Sequence, residues 1–237
     1  MTTCVRLTSG LFFLLGWLLQ PASAAVRLPH LFTDHLILQR DKAVPVWGWA
    51  EPGETVTVGF GRQTITVTAG ADGAWQVRLA PMPASGRPRE LTVRGTNTLI
   101  VRDVLVGDVW LCSGDFGVFW EMFGCLNAED EIARATHPRI RLLKVTPRSS
   151  NTPLADIDGA WKVCTPATVA DASALAYYFG RTLQQQTRVP IGLIDASYRY
   201  SSIQSWVSPA GFRLVPELKL PRDRIDSWDS TTPLGQQ

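Results

Sequence analysis

Beyond the first two dozen residues this chain has no apolar run long enough to cross a bilayer. It also has no Cys-x-x-Cys pair or Cys/His cluster, and no Lys/Arg cluster interleaved with aromatic side chains. The first absence excludes a later membrane-spanning helix, which needs about 20 apolar residues. The second leaves a zinc or redox site unsupported. The third, with a formal net charge of only +2, removes the electrostatic footprint of nucleic-acid binding. Histidine is scarce too: His30, His35 and His137 are the full set, so any acid–base chemistry by imidazole has three candidates. What is present is ordinary for a globular protein. The 237 residues are 45% hydrophobic and 19% charged, enough for a sizeable core in one or two domains.

The amino terminus stands apart. Arg6 precedes an apolar stretch from Leu11 to Leu19, followed by Pro21 and the small triplet Ala22-Ser23-Ala24. This pattern reads as a secretory signal peptide over residues 1–24, cleaved after Ala24, and predicts a secreted or periplasmic protein with no stable membrane span after cleavage. A retained anchor is the other reading. Cys4 precedes the apolar run rather than ending it, so it does not sit where a lipid-modified cysteine would. Its removal leaves Cys112, Cys125 and Cys164. These are either one disulfide of unspecified pairing plus a free thiol, or three small buried residues.

From about Ala43 to Val104 short alternating segments are separated by turn residues, an all-β signature. Thr55-Val56-Thr57-Val58 and Thr64-Ile65-Thr66-Val67-Thr68 suit strands with one buried and one solvated face. Trp75–Leu79 follows the turn Gly70-Ala71-Asp72-Gly73, and Leu91–Val93 and Leu99–Val101 form a hairpin around Gly95-Thr96-Asn97. The stretch from Pro81 to Pro88 reads as a loop. After Asp103 the pattern changes to near-continuous apolar runs, Val104-Leu105-Val106 and Val109-Trp110-Leu111, typical of strands covered on both faces. Ile140–Val145 and Ile191–Ile194 are further candidates. Between them Ala172 to Gln186 has helical spacing at Leu175, Tyr178, Phe179 and Leu183, with Asp171 as cap, so a βαβ unit is expected. Only about three parallel-type strands are visible, whereas a doubly wound domain usually needs about five. The second layer reads as incomplete.

Several motifs now fall in order. Leu28–Arg40, Val44–Ala50, Pro52-Gly53-Glu54 and Asp103–Gly114 are followed by Phe179-Gly180-Arg181 and by Pro190–Ile194 through Trp206. Together they resemble the sialate O-acetylesterase-like family of the SGNH hydrolase superfamily. The resemblance implies an α+β chain in two parts. Residues 25–103 would be an all-β sandwich or jelly-roll-like module, 104–220 a partial SGNH-type, flavodoxin-like α/β domain, and 221–237 an irregular tail. It also implies acetyl-ester hydrolysis on a sugar, by a serine at a strand-to-helix turn, donors for the oxyanion, and a histidine oriented by an aspartate.

The family's nucleophile block is typically Trp-Leu-Cys-Ser-Gly-Gln-Ser-Asn-Met; here it reads Trp-Leu-Cys-Ser-Gly followed by Asp115, Phe116 and Gly117. A phenyl ring stands at the serine's position. The second block, typically Ser-Trp-Gly-Gly-Thr, is Ser197-Tyr198-Arg199-Tyr200-Ser201. Two glycines thus become bulky side chains, with backbone strain where φ is positive. The family's Asp-x-x-His-type block lies far downstream and has no counterpart before Gln237, so a degenerate, C-terminally truncated member is expected. None of the three histidines matches the catalytic position.

No catalytic, metal or cofactor residue is therefore expected, and Asp115, Phe116, Gly117, Arg199 and Tyr200 mark the degenerate site. The Asp-Phe-Gly spelling, shared with protein kinases, lacks every accompanying kinase motif. Trp47, Trp49, Trp110, Trp120, Trp161 and Trp206 read as core packing rather than a sugar platform. Three functions fit: an exported, inactive esterase homologue with affinity for an acetylated carbohydrate; an active esterase with a relocated nucleophile at Ser113, Ser197 or Ser201; and a non-enzymatic β-sandwich interaction module.

Overall fold

The computed structural model describes residues 25–150 and 152–215. The signal peptide expected over 1–24 and the tail expected over 221–237 lie outside the described residues.

The chain forms β1 (Ile37–Gln39), β2 (Val44–Trp49), β3 (Thr55–Phe60), β4 (Gln63–Thr68), β5 (Ala74–Leu79), β6 (Ser85–Arg94) and β7 (Thr98–Cys112). Short α1 (Phe116–Phe119) and α2 (Ala128–Arg134) lead to β8 (His137–Lys144) and β9 (Trp161–Cys164). Then come α3 (Pro166–Val169), α4 (Ala174–Thr187), β10 (Ile191–Asp195) and α5 (Pro209–Leu214). The architecture is a mixed α+β arrangement. A large sheet runs β4-β3-β6-β7-β10-β8-β9 with β1 also paired to β7, and β2 and β5 make a second, small sheet.

Alternation explains the first half. In β3 and β5 the buried residues are Val56, Val58 and Phe60, and Trp75, Val77 and Leu79. With Val46, Leu91 and Val93 they fill one core shared by both sheets. Each such aliphatic side chain contributes roughly 1.5–3 kcal/mol by leaving water. The loop expected at Pro81–Pro88 is shorter than that. Ser85 to Pro88 belong to β6, whose pairing with β7 shifts register between Ser85 and Arg89 and again between Arg89 and Leu91. Such irregularities let a strand carry a proline without losing its partner.

The boundary expected after Asp103 falls inside β7. Asp103 takes a left-handed conformation, φ 54°, and the strand continues through it. The two apolar runs expected as separate strands are thus one. β7 pairs antiparallel with β6 over its first part, and parallel with β1 at Leu105–Gly107 and with β10 at Asp108–Cys112. β10 in turn pairs parallel with β8, so β8, α4 and β10 form the expected βαβ unit. Helix α4 is capped by Ser173, whose hydroxyl accepts from the Ala176 amide at 3.2 Å. Asp171, expected as the cap, lies two residues earlier, where its carbonyl accepts from Lys144 instead. The helix lies against β10 at Gly180, where an added Cβ would be 2.6 Å from Leu193 Cδ1.

Candidate functional site

Parallel strands deliver their carboxyl ends to one place, and open α/β sheets bind ligands there. Asp195 at the end of β10 stands in register with Cys112 of β7 on one side and Lys144 of β8 on the other. The segments that follow β7 and β10 are tied to each other. Ala196 N donates to Cys112 O at 2.8 Å and Tyr198 N donates to Gly114 O at 3.0 Å. Asp115 Oδ1 accepts from Tyr200 N at 2.7 Å. The two blocks that the sequence marks as degenerate therefore do meet, although they are more than eighty positions apart in the chain.

Gly114 (φ 148°) makes the turn, and Asp115 then precedes α1. Phe116 opens α1 half-exposed, its ring edge-on to Trp120 with centroids 5.2 Å apart and 6.4 Å from the ring of Tyr200. Arg199 lays its guanidinium over Phe119 and Tyr200, 5.1 Å from each centroid. It is exposed, as a solvated arginine should be, yet stacked. Lys144 pairs with Glu121, donates to Asp171 O at 2.9 Å, and sits 5.5 Å from the Phe119 ring. An aromatic and cationic cluster occupies the ends of the parallel strands. Tyr200 adopts φ 61°, the left-handed conformation that a glycine would take without cost, whereas Arg199 is not left-handed. Gly117 has open space around it.

The serines named as alternative nucleophiles are accounted for individually. Ser113 is exposed, and no histidine hydrogen-bonds to it among the described residues. Ser197 is buried and donates from Oγ to Asp195 Oδ1 at 2.6 Å, with its amide on the same oxygen at 3.0 Å. That is a turn-closing arrangement in which the hydroxyl meets a carboxylate two residues away and no imidazole. Ser201 donates to Tyr198 O at 2.6 Å and accepts from Trp206 Nε1 at 2.9 Å.

Each histidine is engaged away from these serines. His30 Nδ1 is 2.7 Å from Asp156 Oδ2, His35 Nδ1 is 2.7 Å from Asp103 Oδ2, and His137 Nε2 is 3.3 Å from the Tyr177 hydroxyl. Burial, reinforced by the Arg181 guanidinium and opposed by Glu131, holds the His137 imidazole below its ordinary value of 6.5. The folded state therefore disfavours the protonated ring. Stability from this group is complete above 6.5 and is lost as pH falls from there through the lowered folded value. Denaturant titrations at pH 7.5 and 5.5 should show a smaller loss on acidification for His137→Gln than for the parent; an equal or larger loss would contradict this.

All three cysteines in the described residues are free thiols, so none of the pairings left open by the sequence forms. Cys112, beside the site, has its thiol pushed up to about 11 by burial and by Asp195, and burial takes Cys164 to about 12. Neither offers a thiolate nucleophile near neutral pH. No group of three metal-ligating side chains stands together among the described residues, and no described helix is long and apolar enough to cross a membrane. The tryptophans divide. Trp75 and Trp161 are buried, while Trp110, Trp120 and Trp206 are exposed, against the expectation of core packing.

Comparison with known proteins completes the picture. A solved structure of a carbohydrate acetylesterase from Xanthomonas citri superposes with a TM-score of 0.76 at 38% identity, covering 78% of this chain and 43% of that one. The fold is that of a carbohydrate acetylesterase over the matched region. The sialate O-acetylesterases of Rattus norvegicus and Homo sapiens are 31% and 32% identical over 90% and 92% of the chain. The chain belongs to the sialate O-acetylesterase-like family, and spans about 45% of the length of those relatives. No family model matches it.

Asp195, Lys144 and Glu121 were not singled out by the sequence. The signal available was the acidic residue closing the apolar run Ile191–Ile194, at the carboxyl end of a parallel strand.

Proposed function

We propose that this chain is an exported member of the carbohydrate acetyl-ester hydrolase lineage that does not hydrolyse esters, and that it meets acetylated carbohydrate through the aromatic cluster at the ends of β7 and β10. The observation that carries this reading is the Phe116 ring. It stands at the strand-to-helix turn where a nucleophile belongs, and packs with Trp120 and Tyr200 across the place a substrate carbonyl would approach. A phenyl group neither attacks a carbonyl nor donates a hydrogen bond to an oxyanion. The engagement of Ser197 and Ser201, and of all three histidines, supports the same conclusion against a relocated nucleophile. Export is supported by the charged, apolar and small-residue succession before Ala25. Exposed, edge-to-face aromatics present the apolar faces on which sugar rings stack.

Two measurements test the reading. Acetate release from O-acetylated sugars by the parent chain should equal the buffer rate, and a fluorophosphonate probe should label no serine. Phe116→Ser should gain nothing, because a serine without an adjacent base stays a weak nucleophile. A clear rise in acetate release in that single variant would reveal a working base and sink the proposal. For the carbohydrate, Trp120→Ala should reduce retardation in gels containing an O-acetylated polysaccharide; unchanged migration of both proteins would remove that half of the reading.

A further inference from the structure

The solvated face of the β half carries a second concave surface, which shares no residue with the cluster at the ends of β7 and β10. Along β3, β4 and β6 the residues that alternate with the core are Thr55, Thr57 and Gly59, then Thr64, Thr66 and Thr68, then Glu90, Thr92 and Arg94. Register sets Gly59 opposite both Thr64 and Thr92, and Thr57 opposite both Thr66 and Arg94. With no side chain at its centre, this hydroxyl-bearing face leaves a hollow of about 320 Å³, whose lining includes Thr57, Gly59, Thr64, Glu90, Thr92 and Arg94. Glycine inside a strand marks a bulge, a bend, or the close approach of a ligand or another backbone. The pairing of Gly59 runs without a register shift on either side, and its φ is not left-handed. A Cβ there would meet no backbone closer than Gln63 O at 4.0 Å; its one tight neighbour is Thr92 Oγ1 at 2.7 Å, which a change of rotamer removes. The fold itself therefore does not call for glycine here. Close approach of a ligand does.

We propose that the hollow around Gly59 is a binding site for a neutral stretch of polysaccharide, separate from the strand-end cluster. The lining decides the chemistry. Each threonine hydroxyl offers one donor and two acceptor positions, the match for a polyhydroxylated ligand. Thr57 and Thr66 use only one of these on each other, at 3.0 Å. Glu90 accepts and Arg94 donates, so β6 presents one charge of each sign, spaced by about 13 Å along the strand. A polyanion gains nothing from that balance. Glu90 is loosely held, with Arg102 Nε 3.9 Å away and both side chains more than half exposed. Arg94 enters no ion pair among the described residues. Gln63 fixes one wall, accepting from Ala80 N at 2.6 Å and donating to Ala80 O at 3.3 Å. Phe60 turns its ring into the core, so affinity rests on hydrogen bonds of small net worth and is millimolar. The site depends neither on the aromatic cluster nor on whether ester hydrolysis survives.

The test titrates xylohexaose into the isotope-labelled 237-residue chain and follows backbone amide resonances, with hexagalacturonate as the charged comparison. Shifts at Thr57, Gly59, Thr64 and Thr92 are expected with xylohexaose, weaker with hexagalacturonate, and retained in Trp120→Ala. Gly59→Ala, which fills the hollow, and Glu90→Ala should each weaken binding about tenfold or more. Gly59→Ala should melt no lower than the parent. No shift at these amides, equal affinity in Gly59→Ala, or shifts that vanish in Trp120→Ala would overturn the proposal. So would tighter binding of hexagalacturonate, or a Gly59→Ala chain that melts lower because the fold needed the glycine.

Discussion

Gly107→Ala is expected to lower stability by about 4 kcal/mol, combining overpacking with loss of a buried backbone hydrogen bond. A Cβ at position 107 would lie 2.0 Å from Pro190 O and 2.7 Å from Pro190 C. Both are backbone atoms, so no rotamer change relieves the contact. The Pro190 carbonyl also accepts from Asp108 N at 2.9 Å, at the point where β10 joins β7. Moving it away opens the parallel pairing that carries Asp195 to the site. Gly117→Ala is the control, because nothing lies within 4 Å of a Cβ there. The second substitution should be neutral, or stabilising by up to about 1 kcal/mol, from helix propensity alone. Urea midpoints of the two variants decide the matter. Equal midpoints would mean that β7 and β10 do not approach as closely as the structure places them.

The second large effect centres on Asp103. Its Oδ2 accepts from Arg141 Nη2 at 2.9 Å and lies 2.7 Å from His35 Nδ1. The Arg141 side chain is only 4% exposed and its Nε has no partner. Burial pushes the guanidinium below its ordinary value, and Asp103 opposes that push. Removing one member of a buried pair costs about 3–5 kcal/mol, less here because the carboxylate is partly solvated. Backbone adds to this, since a non-glycine left-handed residue costs roughly 1–2 kcal/mol unless a short polar side chain compensates. The expected order of destabilisation is Asp103→Asn, then Asp103→Gly, then Asp103→Ala, reaching about 4 kcal/mol for the last. Arg141→Met in the Asp103→Asn background should recover part of the loss, because it removes the unpaired buried charge. An Asp103→Ala chain as stable as the Asn variant would mean that neither the pair nor the conformation matters.

Much of this architecture was legible in residue order, for identifiable reasons. β3, β4 and β5 alternate because one face is buried, so period alone locates them. Helix α4 announces itself by Leu175, Phe179 and Leu183, even though the cap turned out to be Ser173. β1 and β9 escaped, being three and four residues long; a strand that short leaves no period and exists because β7 and β8 offer edges. Asp103 looked like a break between two apolar runs, whereas its left-handed backbone lets one strand pass through it. The loss of the nucleophile at Phe116 was legible by position. The Lys144–Glu121 pair was not, because the fold and not sequence spacing brings the end of β8 to the segment after α1.

The continuity of β7 also sets an order of events in folding. Its first part pairs with β6 across a tight connection at Gly95-Thr96-Asn97, a local contact with little loop-closure cost. Its last part pairs with β10, whose Ile191 meets Asp108 only after the whole α2–α4 stretch has been made. The pairing of Val109-Trp110-Leu111 with β10 therefore waits until that stretch has been made, while the other end of the same strand is already paired. In that interval its apolar side chains and unpaired backbone groups carry the cost that an uncovered strand edge carries.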